Sequence, residues 1–194
     1  MRPVLSVCLG TLHVAPHAIA PDDPLSFLSH APTAQAGKLG AIEHLVNWVE
    51  REIGPVQRIT DLDCTAPLRE VSDIHACNEL LDDETDLVLT GHESEKNPYF
   101  NLVEQKDSGY FERVKRPQSE VLARQAAPKV YALNGSVYTW HRHTLTKSMW
   151  DARRIKLHEM PRERSIDIDH PVDFDLVELL MKRKPRGPGF DWDG

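Results

Sequence analysis

Apolar residues recur at helical spacing from Leu39 onward: Leu39, Ile42, Leu45, Val46, Val49 and Ile53 share one side of a 3.6-residue repeat. The pattern predicts a helix to about Glu52, ended by Gly54-Pro55. Arg58 to Asp63 reads as a short strand with Ile59 as its main core residue, running into the proline-stiffened turn Cys64-Thr-Ala-Pro-Leu-Arg69. A second helix follows, with Ser72 as its expected cap and Ile74, Cys77, Leu80 and Leu81 on its apolar side. Strand, turn and helix in this order make half of a βαβ unit.

Asp86 to Thr90 is apolar enough for a buried strand. Asn97 to Glu104 and Tyr110 to Lys115, joined through Gly109, read as an antiparallel excursion from a parallel core. Val130 to Trp140 returns to strand, with Asn134-Gly135 as a turn or bulge. In Glu163 to Phe174, Asp167 and Asp169 alternate with Ile166 and Ile168; an extended strand would put both carboxylates on one face. Pro171 suits a first helical position, and Val172, Leu176, Val177, Leu179 and Leu180 supply an apolar face. Lys182, Arg183 and Lys184 complement the negative end of that helix, and Pro185 stops it.

Residues 1–36 are poorly specified. Val4 to Leu9 is a candidate strand, but Pro16, Pro21, Pro24 and Pro32 forbid a long helix there. His13, His17 and His30 are irregularly spaced without a partner set, which favours solvated loop histidines over a metal site. Residues 37–184 form the expected domain, with an excursion at about 97–124 and a Gly/Pro-rich tail at 185–194.

A length of 194 residues suffices for one domain with a real core. The net charge of −7 argues against a general nucleic-acid surface, which needs a positive field. It leaves room for a nucleotide pocket, where a few local cations and a metal suffice. Cys8, Cys64 and Cys77 are odd in number and form no Cys-x-x-Cys, which fits a reducing cytoplasm. No apolar run approaches the roughly 20 residues that cross a bilayer, so no membrane partner is expected.

Candidate chemistry gathers at two places. In open α/β sheets ligands lie beyond the carboxyl ends of the strands, which is where Asp61, Asp63, Thr65 and Arg69 fall. An Asx-type turn with a surface arginine explains the same residues equally well. Asp167 and Asp169 are hard oxygen donors suited to Mg²⁺ held jointly with phosphates. The competing reading is an acidic strand end that caps the next helix.

The stretch ERSIDIDHPVDF, with Asn134-Gly-Ser-Val-Tyr138 and Thr65-Ala-Pro-Leu-Arg69, resembles the acylneuraminate cytidylyltransferases, the CMP-sialic acid synthetases. The likeness runs from about Gly37 to Lys182. It implies a three-layer Rossmann-like nucleotidyltransferase fold of α/β class with a mixed sheet and an antiparallel dimerisation excursion. It also implies CMP transfer from CTP to a nonulosonic acid with release of pyrophosphate. Asp167 and Asp169 would hold Mg²⁺ as catalytic ligands, and Arg124 would clamp the sugar carboxylate. Asn134 and Tyr138 would orient the sugar, with Asp63, Thr65 and Arg69 bordering the nucleotide. Many relatives carry glutamine where this chain has Asp63, so that residue is either a cytidine contact or a further metal ligand. Near Phe100 well-studied relatives carry a sugar-binding lysine, which leaves the particular nonulosonate open.

The family begins with a strand and a glycine-rich loop that cradles triphosphate. Residues 1–36 contain no such loop, so the expectation is a fold with the first strand and glycine-rich loop missing, an N-terminally incomplete cytidylyltransferase whose turnover as this polypeptide is in question. Two alternatives stand beside it: a non-catalytic fragment that binds sugar acid and metal, and a nucleotidyltransferase for a keto-deoxy octulosonate. A homodimer in the cytoplasm, with CTP and the nonulosonic acid as small-molecule partners, completes the expectation.

Overall fold

The structure is a computed structural model that describes residues 4–7 (backbone only), 38–116, 127–145 and 148–183. The helix expected from Leu39 is α1, Lys38–Glu52, with Ile42, Val46 and Val49 buried along the predicted stripe. β1 is Val4–Val7 and β2 is Arg58–Leu62. The second helix is α2, Val71–Leu80. Its cap is Glu70 rather than Ser72, because Glu70 and Asp73 form a reciprocal capping box. β3 spans Leu87–Glu93, and the short strands β4 (Val103–Gln105) and β5 (Phe111–Arg113) form the expected excursion. β6 (Tyr131–His141), β7 (Ile155–Glu159) and α3 (Pro171–Arg183) complete the fold.

The main sheet has the order β1-β2-β6-β3-β7. β6 runs antiparallel to both β2 and β3, while β1 lies parallel to β2 and β7 parallel to β3. This is the mixed sheet the sequence predicts, and β1 occupies the flank of β2. Helices cover both faces. On one, Ile42, Val46 and Val49 of α1 pack on Ile59, Leu87, Leu89 and Trp140. On the other, Cys77 and Leu81 meet Val88 and Val137. Leu87 and Leu89 therefore serve one core and Val88 the other, which is why the start of β3 is a continuous apolar run rather than an alternation.

Two features shape the site. The β3–β6 register jumps between Leu89, opposite Tyr138, and Gly91, opposite Leu133, so residues 134–137 bulge from the ladder. Gly135 sits in that bulge at φ +65°, a conformation that favours glycine. The second feature is a correction. Ser165 to Ile168 are not a strand: after β7 the chain makes a 3-10 turn at Arg162–Arg164 and then an irregular run into α3. Its backbone groups are spent outside any ladder, with Ile168 N–H donating to the Thr65 carbonyl (2.9 Å) and Asp169 N–H to the Asp167 carbonyl (3.2 Å). The pleat that would have aligned Asp167 with Asp169 is therefore absent.

α3 has the predicted bounds, but only Val177 of its apolar residues is buried, and Val172, Leu176 and Leu179 are exposed. The stop signals Lys184 and Pro185, the tail, and all of residues 1–36 other than β1 lie outside the described residues.

Candidate active site

At the carboxyl end of β2, Asp61 pairs across the ladder with Tyr138 of β6. Asp61 is fully buried, and its Oδ2 lies 2.6 Å from the Lys38 ammonium at the start of α1. The same ammonium donates to Asp63 Oδ2 at 2.8 Å and sits 5.2 Å from the centre of the Tyr138 ring. A cation at the first position of a helix opposes the macrodipole. Here two carboxylates and an aromatic face outweigh that cost.

The charges shape one another. Burial pulls the Lys38 pKa down, but its hydrogen bonds to Asp61 and Asp63 outweigh this and leave it above the ordinary lysine value. For Asp61 burial wins over Lys38, and the carboxyl is raised above the usual carboxylate range. Half-exposed Asp63 goes the other way: burial raises it, while Lys38 and the Thr65 hydrogen bonds together hold it below that range. The Tyr138 phenol is pushed up, first by burial, with Asp61, Asp63 and Asp167 adding to the shift against the pull of Lys38.

The turn after β2 is knitted to the bulge of β6. Thr65 donates to Asp63 Oδ1 through both its N–H (3.3 Å) and its hydroxyl (3.0 Å). Arg69 Nη1 donates to the carbonyls of Asp63 (2.6 Å), Ala66 (2.8 Å) and Ser136 (3.3 Å). Thr65 and Arg69 thus form the frame that holds Asp63.

Asp167 reaches this frame from the other side. Its Oδ2 lies 3.3 Å from where a Cβ on Gly135 would stand, and the Tyr138 hydroxyl lies 3.8 Å from the same point. Its Oδ1 is buried with no hydrogen-bond partner. Asp169 is exposed and stands at the entry to α3, where its N–H donates to Asp173 Oδ2 (3.2 Å). The expected pair is thus split into one carboxylate facing the site and one at the helix start.

Asn134 is turned into the interior. It is buried, with Oδ1 accepting from Thr90 Oγ1 (2.7 Å) and Ser136 N–H (3.2 Å), and Nδ2 donating to Ser165 Oγ (3.1 Å). With its amide engaged on both sides, it braces the bulge against the Asp167 run. Arg124 lies outside the described residues. The arrangement therefore brings together Asp63, Thr65, Arg69, Tyr138 and Asp167, adds Lys38 and Asp61, and sets Asn134 behind them. Sequence reasoning passed over Lys38, although a lysine at the unfavourable end of a helix was a usable signal.

A mixed sheet covered on both faces, with polar residues converging at the carboxyl end of β2, defines an α/β protein with a candidate site at one edge of its sheet. Its fold is like that of the crystal structure of 4-diphosphocytidyl-2C-methyl-D-erythritol synthase from Anaerococcus prevotii (TM-score 0.51, 11% identity, 76% of this chain and 67% of that one). By sequence the chain is 34% identical over 128 residues to post-translational flagellin modification protein B of Campylobacter coli, covering 65% of this chain and 53% of the relative. It is 33% identical over 102 residues to CMP-N,N'-diacetyllegionaminic acid synthase of Campylobacter jejuni, covering 52% and 42%. No family model matches. The chain is thus similar in sequence to part of a CMP-N,N'-diacetyllegionaminic acid synthase, in line with the resemblance its motifs carry, and spans about half the length of the curated relatives it matches.

Proposed function

We propose that this chain carries the sugar-acid and metal side of a cytidylyltransferase that moves CMP from CTP to a nonulosonic acid. In that reaction the anomeric oxygen bonds to the α-phosphorus, the bond from that phosphorus to the pyrophosphate oxygen breaks, and the hydroxyl proton is shed. The observation that carries the reading is the meeting of Asp167 with Tyr138 and Gly135 beside the Lys38–Asp61–Asp63 cluster.

The donor set fits Mg²⁺. Asp167 Oδ1 is a buried oxygen without a partner, the kind of atom a hard cation satisfies. Among the described residues no three His, Cys, Asp or Glu side chains converge on one point, so phosphate and water oxygens would complete the shell. Asp167 would be the principal ligand, and Asp169 would join it only through a shift at the α3 entry. When bound, Mg²⁺ offsets negative charge on the phosphates. The chain's own residues do the rest. Lys38 holds Asp61 and Asp63 together, Thr65 and Arg69 fix the nucleotide-bordering turn, and Tyr138 offers its hydroxyl to the sugar. Arg124 is the carboxylate partner the family resemblance implies, since a guanidinium fork suits that group.

A homodimer fits the excursion, where Val103, Tyr110, Phe111 and Val114 are all exposed. No described helix is long and apolar enough to cross a membrane. The cytoplasmic setting rests on cysteine usage, an odd count with no Cys-x-x-Cys. Separate titrations with CTP and with a nonulosonic acid, each with and without Mg²⁺, test the reading. Binding of the sugar acid that weakens on Tyr138→Phe supports it, and indifference of both ligands to Mg²⁺ and to Asp167→Asn contradicts it.

A further inference from the structure

The Asp167 run is held from a distance by a buried carboxylate that belongs to neither half of the site. Asp73, in the first turn of α2, is almost fully buried. Its Oδ2 accepts the N–H of Glu70 at 2.7 Å, which closes the helix cap. Its Oδ1 accepts from Arg164 Nη2 at 2.7 Å and lies 3.2 Å from His158 Nε2 on β7. The second arm of the fork, Arg164 Nη1, donates to Glu70 Oε2 at 2.8 Å. Arg164 is three residues before Asp167. Glu70 and Asp73 follow directly on the Thr65–Arg69 turn.

A bidentate guanidinium gripping two acids on one helix turn fixes direction as well as distance. The run beyond it has two further anchors: Ser165 Oγ accepts from Asn134, and Ile168 N–H donates to Thr65. Asn134 braces the β6 bulge, and Thr65 lies in the turn that holds Asp63. Only the Asp73–Glu70–Arg164 fork is charge-assisted and substantially shielded, so it is the strongest of the three.

We propose that Asp73 is a positioning residue: through Arg164 it sets where Asp167 stands against Gly135 and Tyr138, and so couples the nucleotide-bordering turn to the metal-facing run. Its consequence for metal rests on the function proposed above, whereas the clamp itself does not.

The experiment separates the two. Amide exchange is followed by mass spectrometry across residues 163–170 in the wild type, Asp73→Asn, Arg164→Met and Arg164→Lys, and Mn²⁺ affinity is measured by calorimetry on the same proteins. In folded D73N and R164M, exchange in 163–170 should rise about tenfold, the size of losing one charge-assisted hydrogen bond, while α1 and β2 keep their protection. R164K should recover part of that protection. The Mn²⁺ dissociation constant should rise by a similar factor. Unchanged exchange in 163–170 in these variants overturns the proposal, and so does a uniform rise across the molecule. Should D73N not fold, the pair R164M and R164K decides: equal exchange in the two overturns the clamp, and partial recovery in R164K upholds it. Absence of Mn²⁺ binding in the wild type would remove the metal function and leave the exchange result to judge the clamp.

Discussion

The Lys38 ammonium lies 2.6 Å from a carboxylate oxygen of Asp61 that has no access to solvent. One cation thus serves two acids, and the three groups respond to change unequally. Removing the cation by Lys38→Met leaves a buried carboxylate uncompensated. Because Lys38 and Asp63 are partly exposed, the loss should be about 2 kcal/mol, below the range for fully buried pairs. Asp61→Asn removes the charge that burial disfavours and leaves Lys38 with Asp63, so stability should stay within about 1 kcal/mol of wild type. Urea unfolding of both variants checks the asymmetry.

The same trio sets a pH signature. Asp63 is held below its ordinary value of 3.8, so its contribution is present above that pH and is lost as pH falls through the lowered folded value. Asp61 is raised above 3.8, so its share of stability grows as pH falls from the raised value toward 3.8. Lys38 is raised above 10.5; its contribution is full below that pH and disappears as pH rises through the folded value. Stability measured against pH should therefore lose its gain just above pH 3.8 in Asp61→Asn and its alkaline fall in Lys38→Met.

Gly135 joins backbone geometry to the site. An alanine there would take up a left-handed conformation and put its Cβ 3.3 Å from Asp167 Oδ2. Gly135→Ala should cost about 1–2 kcal/mol in stability from the backbone alone. The Cβ should also displace the Asp167 carboxylate, seen as weaker Mn²⁺ binding in calorimetry.

Asn134 and Tyr138 should separate cleanly. Asn134→Ala removes buried hydrogen bonds to Thr90, Ser136 and Ser165, while Thr90 keeps Val137 and Ser165 keeps Pro161, a loss of about 1–3 kcal/mol read by thermal unfolding. Tyr138→Phe keeps the ring between Lys38 and Trp140 and should lower nonulosonate affinity with little change in melting temperature. The reverse outcome would return Asn134 to the ligand and reduce Tyr138 to packing.

The thiols give an independent check on the α2 face. Burial, with the nearby Asp73 charge, pushes the Cys77 thiol up to about 12, whereas Cys64 is exposed in the turn after β2. A thiolate reagent at neutral pH should label Cys64 and spare Cys77 until the protein unfolds, as peptide mapping would show.

Much of the fold was legible in the chain because its signals are local. Leu39 to Val49 could bury one stripe only as a helix, Asp86 to Thr90 was too apolar for anything but an interior strand, and Asn134-Gly135 marked the bulge. The failures were of tertiary origin. Alternation in IDID looks like a strand, yet the run pairs with no strand among the described residues, and the Ile168 amide goes to Thr65 instead. Asn134 looked like a ligand contact because an amide suits a sugar, and only the fold reveals Thr90 and Ser165 consuming it. Lys38 escaped notice because its partners lie more than twenty residues away. Asp63, Thr65 and Arg69 stand together at one edge of the sheet because turn chemistry and a strand end are local signals, whereas Tyr138 entered through the family resemblance.

The most direct measurement is formation of CMP-sugar from CTP and a nonulosonic acid, followed by mass spectrometry with and without Mg²⁺, in the wild-type chain and in Asp167→Asn. Mg²⁺-dependent binding of substrate that is lost in Asp167→Asn is predicted, and any product formed should require Mg²⁺ and fall at least about a hundredfold in that variant, in line with loss of a principal electrostatic contributor. Equal product in the two proteins, or no product together with no Mg²⁺-dependent binding of either substrate, would contradict it.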